Sequence, residues 1–366
     1  ILFVLCSLLC LAACGGASKA PEPTPEPTPE PTPEAAIELE VTPEVTPEPT
    51  PEPTPDPGDG VSFAKAESRT IGASVYFGDS GYEIYALGAV AAKTYSQTLS
   101  KAADKYAEQG IRFFSMICPN SGGIVLSNDM YDQLYSIRQD EAVKAFYVEK
   151  SDNLIPVFIY DTLRAHNTEY VYFRTDHHWT ALGAYYAYTE FCRSAGLEPV
   201  PLSSYTEMTM DPFLGSYYQH NPNKDMQNNP DTVIAYVPPG DISCMSYPVA
   251  GSGSAHDVIV DKRGDGSERQ YLCFLNGDHY LTEITNNSIE DDSCILVVKD
   301  SYANPFAPYL TQHYHTVLVM DWHYELRIRE ILKNYPVDDI LVLTELVQAQ
   351  GNDMLNRLYG DFLLRG

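Results

Sequence analysis

The chain has 366 residues, a formal net charge of −27 and 27 prolines. Fourteen of the prolines and 11 of the 50 acidic residues fall between Pro21 and Gly60, a stretch without Lys or Arg that is too biased in composition to form a core. The 306 residues beyond it carry 39 acidic and 22 basic side chains, a net of −17; that is one large domain or two small ones, and its acidity excludes nucleic-acid binding through a general basic surface.

Ile1 to Ala13 is an apolar run suited to a signal-peptide core and shorter than the roughly 20 residues that span a bilayer. Leu11-Ala12-Ala13-Cys14 resembles the bacterial lipobox, which implies processing before Cys14 and a diacylglyceryl group on its sulfur. The chain has neither an initiator Met nor the basic start of a signal peptide, and it is read here as slightly truncated. A plain cleaved signal with Cys14 incidental is the alternative. Pro21 to Gly60 repeats Pro-Glu-Pro-Thr, a register for extended polyproline II, and residues 15–60 together have a reach on the order of 140 Å. Such a tether would hold the body, residues 61–366, away from a membrane.

Eight cysteines suggest a disulfide scaffold until Cys6, Cys10 and Cys14 are assigned to the export segment. Cys118, Cys192, Cys244, Cys273 and Cys294 are then an odd set without C-x-x-C spacing, expected to be mostly free buried thiols.

Apolar runs at Ile111–Cys118, Leu154–Tyr160, Cys294–Val298, Thr316–Met320 and Ile340–Leu343 read as strands buried on both faces, the pattern of a parallel sheet. Helical spacing lies between them, as in Ala91, Tyr95, Leu99, Ala102 and Tyr106, closed by Gly110. The expected class is α/β, a three-layer sandwich with a mostly parallel central sheet. Residues 202–285, rich in Asn, Asp, Gly, Pro, Ser and Tyr, read as an insertion of loops and short strands over one end of the sheet.

Two segments carry chemistry. Strand-like Tyr170–Arg174 leads into a helical pattern, so Thr175, Asp176, His177 and His178 occupy the turn between them. A carboxylate beside two histidines can orient a base, bind a metal or cap a helix. The second is Cys294–Lys299, a buried strand running into Asp300, Ser301, Tyr302, Ala303 and Asn304; a serine at such a turn can be a cap, or a nucleophile at a helix N-terminus.

Arg174-Thr175-Asp176-His177-His178-Trp179-Thr180 with Leu182-Gly183-Ala184-Tyr185, and Lys299-Asp300-Ser301-Tyr302-Ala303-Asn304, strongly resemble the bacterial DHHW family, a branch of the SGNH hydrolase-like proteins related to the alginate O-acetyltransferases. The resemblance runs from about Ser74 to Gly351 and includes Phe213-Leu214-Gly215-Ser216 and Phe274-Leu275-Asn276-Gly277. It implies Asp176 as triad acid, His178 as base and Ser301 as nucleophile, with His177 on a variable position. Lys299 replaces the glycine of Gly-Asp-Ser and no Gly-x-Asn-Asp block is visible, so the second oxyanion donor is open among Asn276, Gly277 and Asn304. Trp179, Tyr302 and other tyrosines are candidates to stack on sugar rings.

The function implied is a lipid-anchored, extracytoplasmic O-acyltransferase or esterase acting through a Ser301 acyl-enzyme on a cell-wall or extracellular polysaccharide. It needs no cofactor or metal; acyl groups would come through a membrane-bound O-acyltransferase partner. A non-catalytic wall-associated binding or assembly lipoprotein of the same fold is the alternative. A metal-dependent phosphoesterase is a third, weakened by the lack of further strand-borne Asp clusters.

Overall fold

The computed structural model describes residues 60–63, 68–135, 137–249 and 251–364. The signal segment, Cys14 and the tether up to residue 59 lie outside the described residues. An antiparallel meander of β1 (Arg69–Ile71), β2 (Ser74–Phe77) and β3 (Ser80–Glu83) comes first. Then follow α1 (Ala89–Ala107), β4 (Arg112–Cys118), β5 (Leu154–Val157) and α2 (Ala181–Ala195). The insertion supplies β6 (Thr206–Phe213), a short α3 (Ser216–His220), β7 (Asp231–Val237), β8 (Ile242–Tyr247), β9 (Ser254–His256) and β10 (Leu281–Asn286). The chain returns to the sheet through β11 (Cys294–Lys299), β12 (Thr316–Asp321), β13 (Asp339–Glu345) and α4 (Asn352–Tyr359).

The main sheet has the order β5-β4-β13-β11-β12-β10-β8-β9. Its first five strands are the five apolar runs, and all four pairs among them are parallel. Their side chains alternate between two cores. Ile295 and Val297 pack with Ala184, Tyr188 and Phe191 of α2, whereas Leu296 and Val298 pack with Tyr95 and Leu99 of α1 and Leu358 of α4. Helices on both faces make the three-layer sandwich, and burial on both faces explains why these strands read as continuous apolar runs.

The expectation for the insertion needs correction. Besides covering the site, it widens the sheet: β10 pairs antiparallel with β12, β8 with β10 and β9 with β8. A second correction concerns Tyr170–Arg174, which is not a regular strand and joins only an isolated bridge, Tyr172 to Trp179. The helix after it starts at Ala181 and is capped by the Thr180 hydroxyl, which accepts from the Gly183 N–H at 3.2 Å; Asp176 is not the cap. Gly196, at φ 73°, ends that helix with Leu197 N–H donating to Cys192 O at 2.8 Å. The five body cysteines are free and buried. Within the described residues no helix is long and apolar enough to cross a membrane.

Parallel strands put their carboxyl ends on one edge. Ser301 follows β11 there, flanked by Glu345 at the end of β13 and Asp321 at the end of β12. This edge is where open α/β sheets bind ligands.

Candidate active site

The 174–180 loop is held from below by a buried carboxylate. Asp231, at the start of β7, accepts the Thr175 N–H at 2.7 Å, the Thr175 hydroxyl at 2.6 Å and the Arg174 N–H at 3.1 Å, and it also pairs with Tyr170 and the Arg174 guanidinium. The loop folds back on itself, Phe173 N–H donating to His178 O at 3.2 Å. Asp176 then accepts the His178 backbone N–H at 2.9 Å and faces its Nδ1 at 2.6 Å. Its other oxygen accepts the Ser216 N–H at 2.8 Å. A Cβ on Gly215 would overlap this carboxylate, so only glycine lets α3 approach.

Ser301 opens only one turn of 3-10 helix, Ser301–Ala303. Its dipole is correspondingly small. Asp300 fixes the turn: one oxygen accepts the Tyr302 N–H at 3.1 Å, the other the Thr344 hydroxyl and the Glu345 N–H at 2.7 Å each. The Ala303 N–H goes to Asp300 O and the Asn304 N–H to Ser301 O. Among the described residues, the Ser301 N–H is the donor of this turn not spent on closing it.

The two segments meet through His178. Its Nε2 lies 2.7 Å from Ser301 Oγ, which completes a chain from carboxylate to imidazole to hydroxyl. Asp176 and His178 are each 5% exposed. Burial raises the Asp176 pKa, but the His178 and His177 rings and the Ser216 N–H outweigh it and hold this carboxyl far below its ordinary range. Asp176 is therefore ionised wherever the protein is folded. Tyr271 stacks on the His178 ring at 4.1 Å and 15°, and its hydroxyl donates to Ser301 O at 2.9 Å. Such a relay can deprotonate a serine while an acid fixes the imidazole tautomer.

A family described as DHHW protein matches residues 50–320. The chain belongs to the DHHW family. A crystal structure of a DHHW family protein from Eubacterium siraeum DSM 15702 superposes with a TM-score of 0.70 at 26% identity, over 79% of this chain and 95% of that one. PatB1 of Bacillus cereus, solved with a sulfonyl adduct, gives 0.63 at 15% identity over 77% and 96%. The O-acetyltransferase domain of Pseudomonas putida AlgJ gives 0.41 at 14% identity over 77% and 96%. No curated protein matches the chain in sequence. The chain shares its fold with the DHHW family structure and with PatB1.

The remaining candidates of the DHHW sequence separate. Trp179 is fully buried and donates through Nε1 to Tyr302 O at 2.8 Å. Tyr302 is 1% exposed and donates to His177 O. Both are therefore excluded as sugar platforms; they clamp the 174–180 loop to the Ser301 turn. Asn276 is exposed with its side chain accepting from Lys262 at 2.9 Å, and the Gly277 N–H is used by Phe274 O. Gly277 is therefore not a free oxyanion donor, whereas Asn276 has only its oxygen engaged by this contact. Asn304 is buried and spends its amide N–H on Asp278 at 2.9 Å. Leu275, Asn276 and Gly277, at φ 55°, 58° and 95°, instead bend the chain to present Asp278.

What Asp278 meets is Lys299, the residue in place of the usual glycine. Its ammonium is buried between Asp278 and Asp321, 2.8 Å from the latter. Burial lowers the Lys299 pKa, but the two carboxylates outweigh it and raise it, so the ammonium stays charged. His177 lies beside the relay, its ring centroid 3.8 Å from that of His178 and its Nδ1 2.7 Å from Ser216 Oγ. Burial and the His178 charge lower its pKa. Asp176, His177 and His178 bring one ligand atom each within 4.8 Å of one another, yet both His178 nitrogens and His177 Nδ1 already hold protein partners. Asp231, Ser216 and Tyr271 went unnoticed in sequence. Only Ser216 carried a signal, in Phe213-Leu214-Gly215-Ser216.

Proposed function

We propose that this DHHW protein is a surface-anchored, serine-dependent O-acyltransferase or esterase of a cell-wall or extracellular polysaccharide. The observation that carries the reading is the unbroken pair of hydrogen bonds, 2.6 and 2.7 Å, from Asp176 through His178 to Ser301. A non-catalytic scaffold has no need of this alignment. His178 Nε2 takes the Ser301 proton as Oγ bonds to the acyl carbon, and the leaving alcohol recovers that proton. A sugar hydroxyl, or water, then gives its proton to the same nitrogen, bonds to the acyl carbon and releases Ser301 Oγ, which takes that proton back from His178. The Ser301 N–H is the donor available to the oxyanion. Anchoring through Cys14, with acyl groups delivered by a membrane-bound O-acyltransferase partner, completes the reading.

The test is turnover of a chromogenic acetate ester by the purified protein, with transfer of the acetyl group to a glycan followed in parallel. Turnover is expected, and EDTA treatment is expected to leave its rate unchanged because the histidine nitrogens are engaged in the relay. A rate lost to EDTA and restored by a divalent cation would favour the phosphoesterase-like alternative.

A further inference from the structure

A cleft of about 380 Å³ is lined by His177, whose ring centroid is 3.8 Å from that of His178. Ile71, Ala73, Tyr76, Glu83, His177 and Ser216 line it, so the β1–β3 meander forms one wall and the relay loop with α3 the other. The volume is that of a small-ligand site. Two larger clefts, about 520 Å³ beside Trp322 and Arg357 and about 590 Å³ beside Phe63 and Tyr170, do not include His177.

Ser216 Oγ accepts the His177 N–H at 3.2 Å and lies 2.7 Å from its Nδ1, so this hydroxyl holds the His177 ring in place at the cleft wall. Glu83 has one carboxyl oxygen buried without a hydrogen-bond partner. Burial raises its pKa, while the neighbouring His177 ring acts in the opposite direction. Ile71 and the edge of Tyr76 add apolar surface. Among the described residues no Lys or Arg lines the cleft; His220 does, Arg69 stands across from Tyr76 and acts on its hydroxyl, and Arg174 is paired with Asp79 and Asp231.

We propose that this cleft is the acceptor subsite and takes an uncharged pyranose of the glycan, with hydroxyls read by Glu83 and His177 and ring carbons against Ile71 and Tyr76. The inference rests on the acyl-transfer reading and adds its substrate class. An acceptor held there would touch His177, the ring beside the base. A uronate or phosphate would meet the Glu83 carboxyl group among the lining residues.

Binding is measured by calorimetry on the full chain carrying Ser301→Ala, which separates binding from turnover, with chitotetraose and cellotetraose as neutral probes and a tetra-uronate as the charged one. A neutral tetrasaccharide is expected to bind and the uronate not. Ala73→Trp fills the cleft from an exposed turn and should weaken binding about tenfold. Glu83→Gln, nearly isosteric, should weaken it about fivefold. Binding unchanged in both variants, no binding of either neutral probe, or tighter binding of the uronate would overturn the proposal. Ester turnover by the Ser301 protein is scored separately: turnover without neutral binding sinks the subsite alone, and binding without turnover sinks the acyl-transfer reading alone.

Discussion

Ser301→Ala should lower acetate-ester turnover by about 10⁴-fold or more, because among the described residues no other hydroxyl stands at His178 Nε2. Stability should change by less than about 1 kcal/mol, since the lost group is a partly exposed hydroxyl with one hydrogen bond. Asp176→Asn should cost on the order of 10³ to 10⁴-fold, for a separable reason. The carboxylate serves three donors: His178 N–H and Nδ1 on one oxygen and Ser216 N–H on the other. An amide can accept on one side only, so it either misdirects the His178 tautomer or faces an N–H with an N–H. Melting curves of both variants, with rates on the same samples, check the pair. A Ser301→Ala protein as fast as wild type would remove the nucleophile from the account.

The second large effect is on folding. Lys299→Met leaves Asp321, 1% exposed, without the ammonium at 2.8 Å, and breaking a buried pair from one side typically costs about 3–5 kcal/mol. Asp278 contributes less because its side chain is 42% exposed. Asp321 keeps its contacts to the His323 N–H and ring at 2.8 and 2.6 Å, which places the loss at the lower end of that range. The sign with pH follows. Burial raises the Asp321 pKa, but the bonds from His323 and Lys299 outweigh it and hold the pKa down to about 2. The pair thus stabilises above the ordinary carboxyl range and is lost as pH falls toward about 2. Denaturant melts of Lys299→Met should show a larger deficit at neutral pH than at pH 4, and adding Asp321→Asn should recover part of it. A neutral-pH deficit below about 1 kcal/mol would contradict a structural role for this lysine.

Legibility in the sequence followed burial. Cys294–Lys299 and its four parallel neighbours were readable because both faces are apolar, so no period was needed to find them. β8–β10 were not, since Ile242–Tyr247 and Leu281–Asn286 carry Ser, Thr and Asn among few large apolar side chains. Asp176, His178 and Ser301 were readable because two motifs carried them. Asp231 was not, being one acid in a loop-rich stretch whose role arises only when β7 returns beneath Thr175. Trp179 was misassigned because an aromatic ring beside a site has the same sequence signal whether it faces a sugar or locks two loops together.

The central claim is that Ser301 is activated by His178 in the folded protein. Labelling with a fluorophosphonate, which reacts with an activated serine, followed by peptide mapping, tests it without any knowledge of the glycan. The account predicts a single labelled site at Ser301, with labelling lost in His178→Ala and strongly slowed in Asp176→Asn. Label elsewhere, or label on Ser301 at the same rate in His178→Ala, would contradict it.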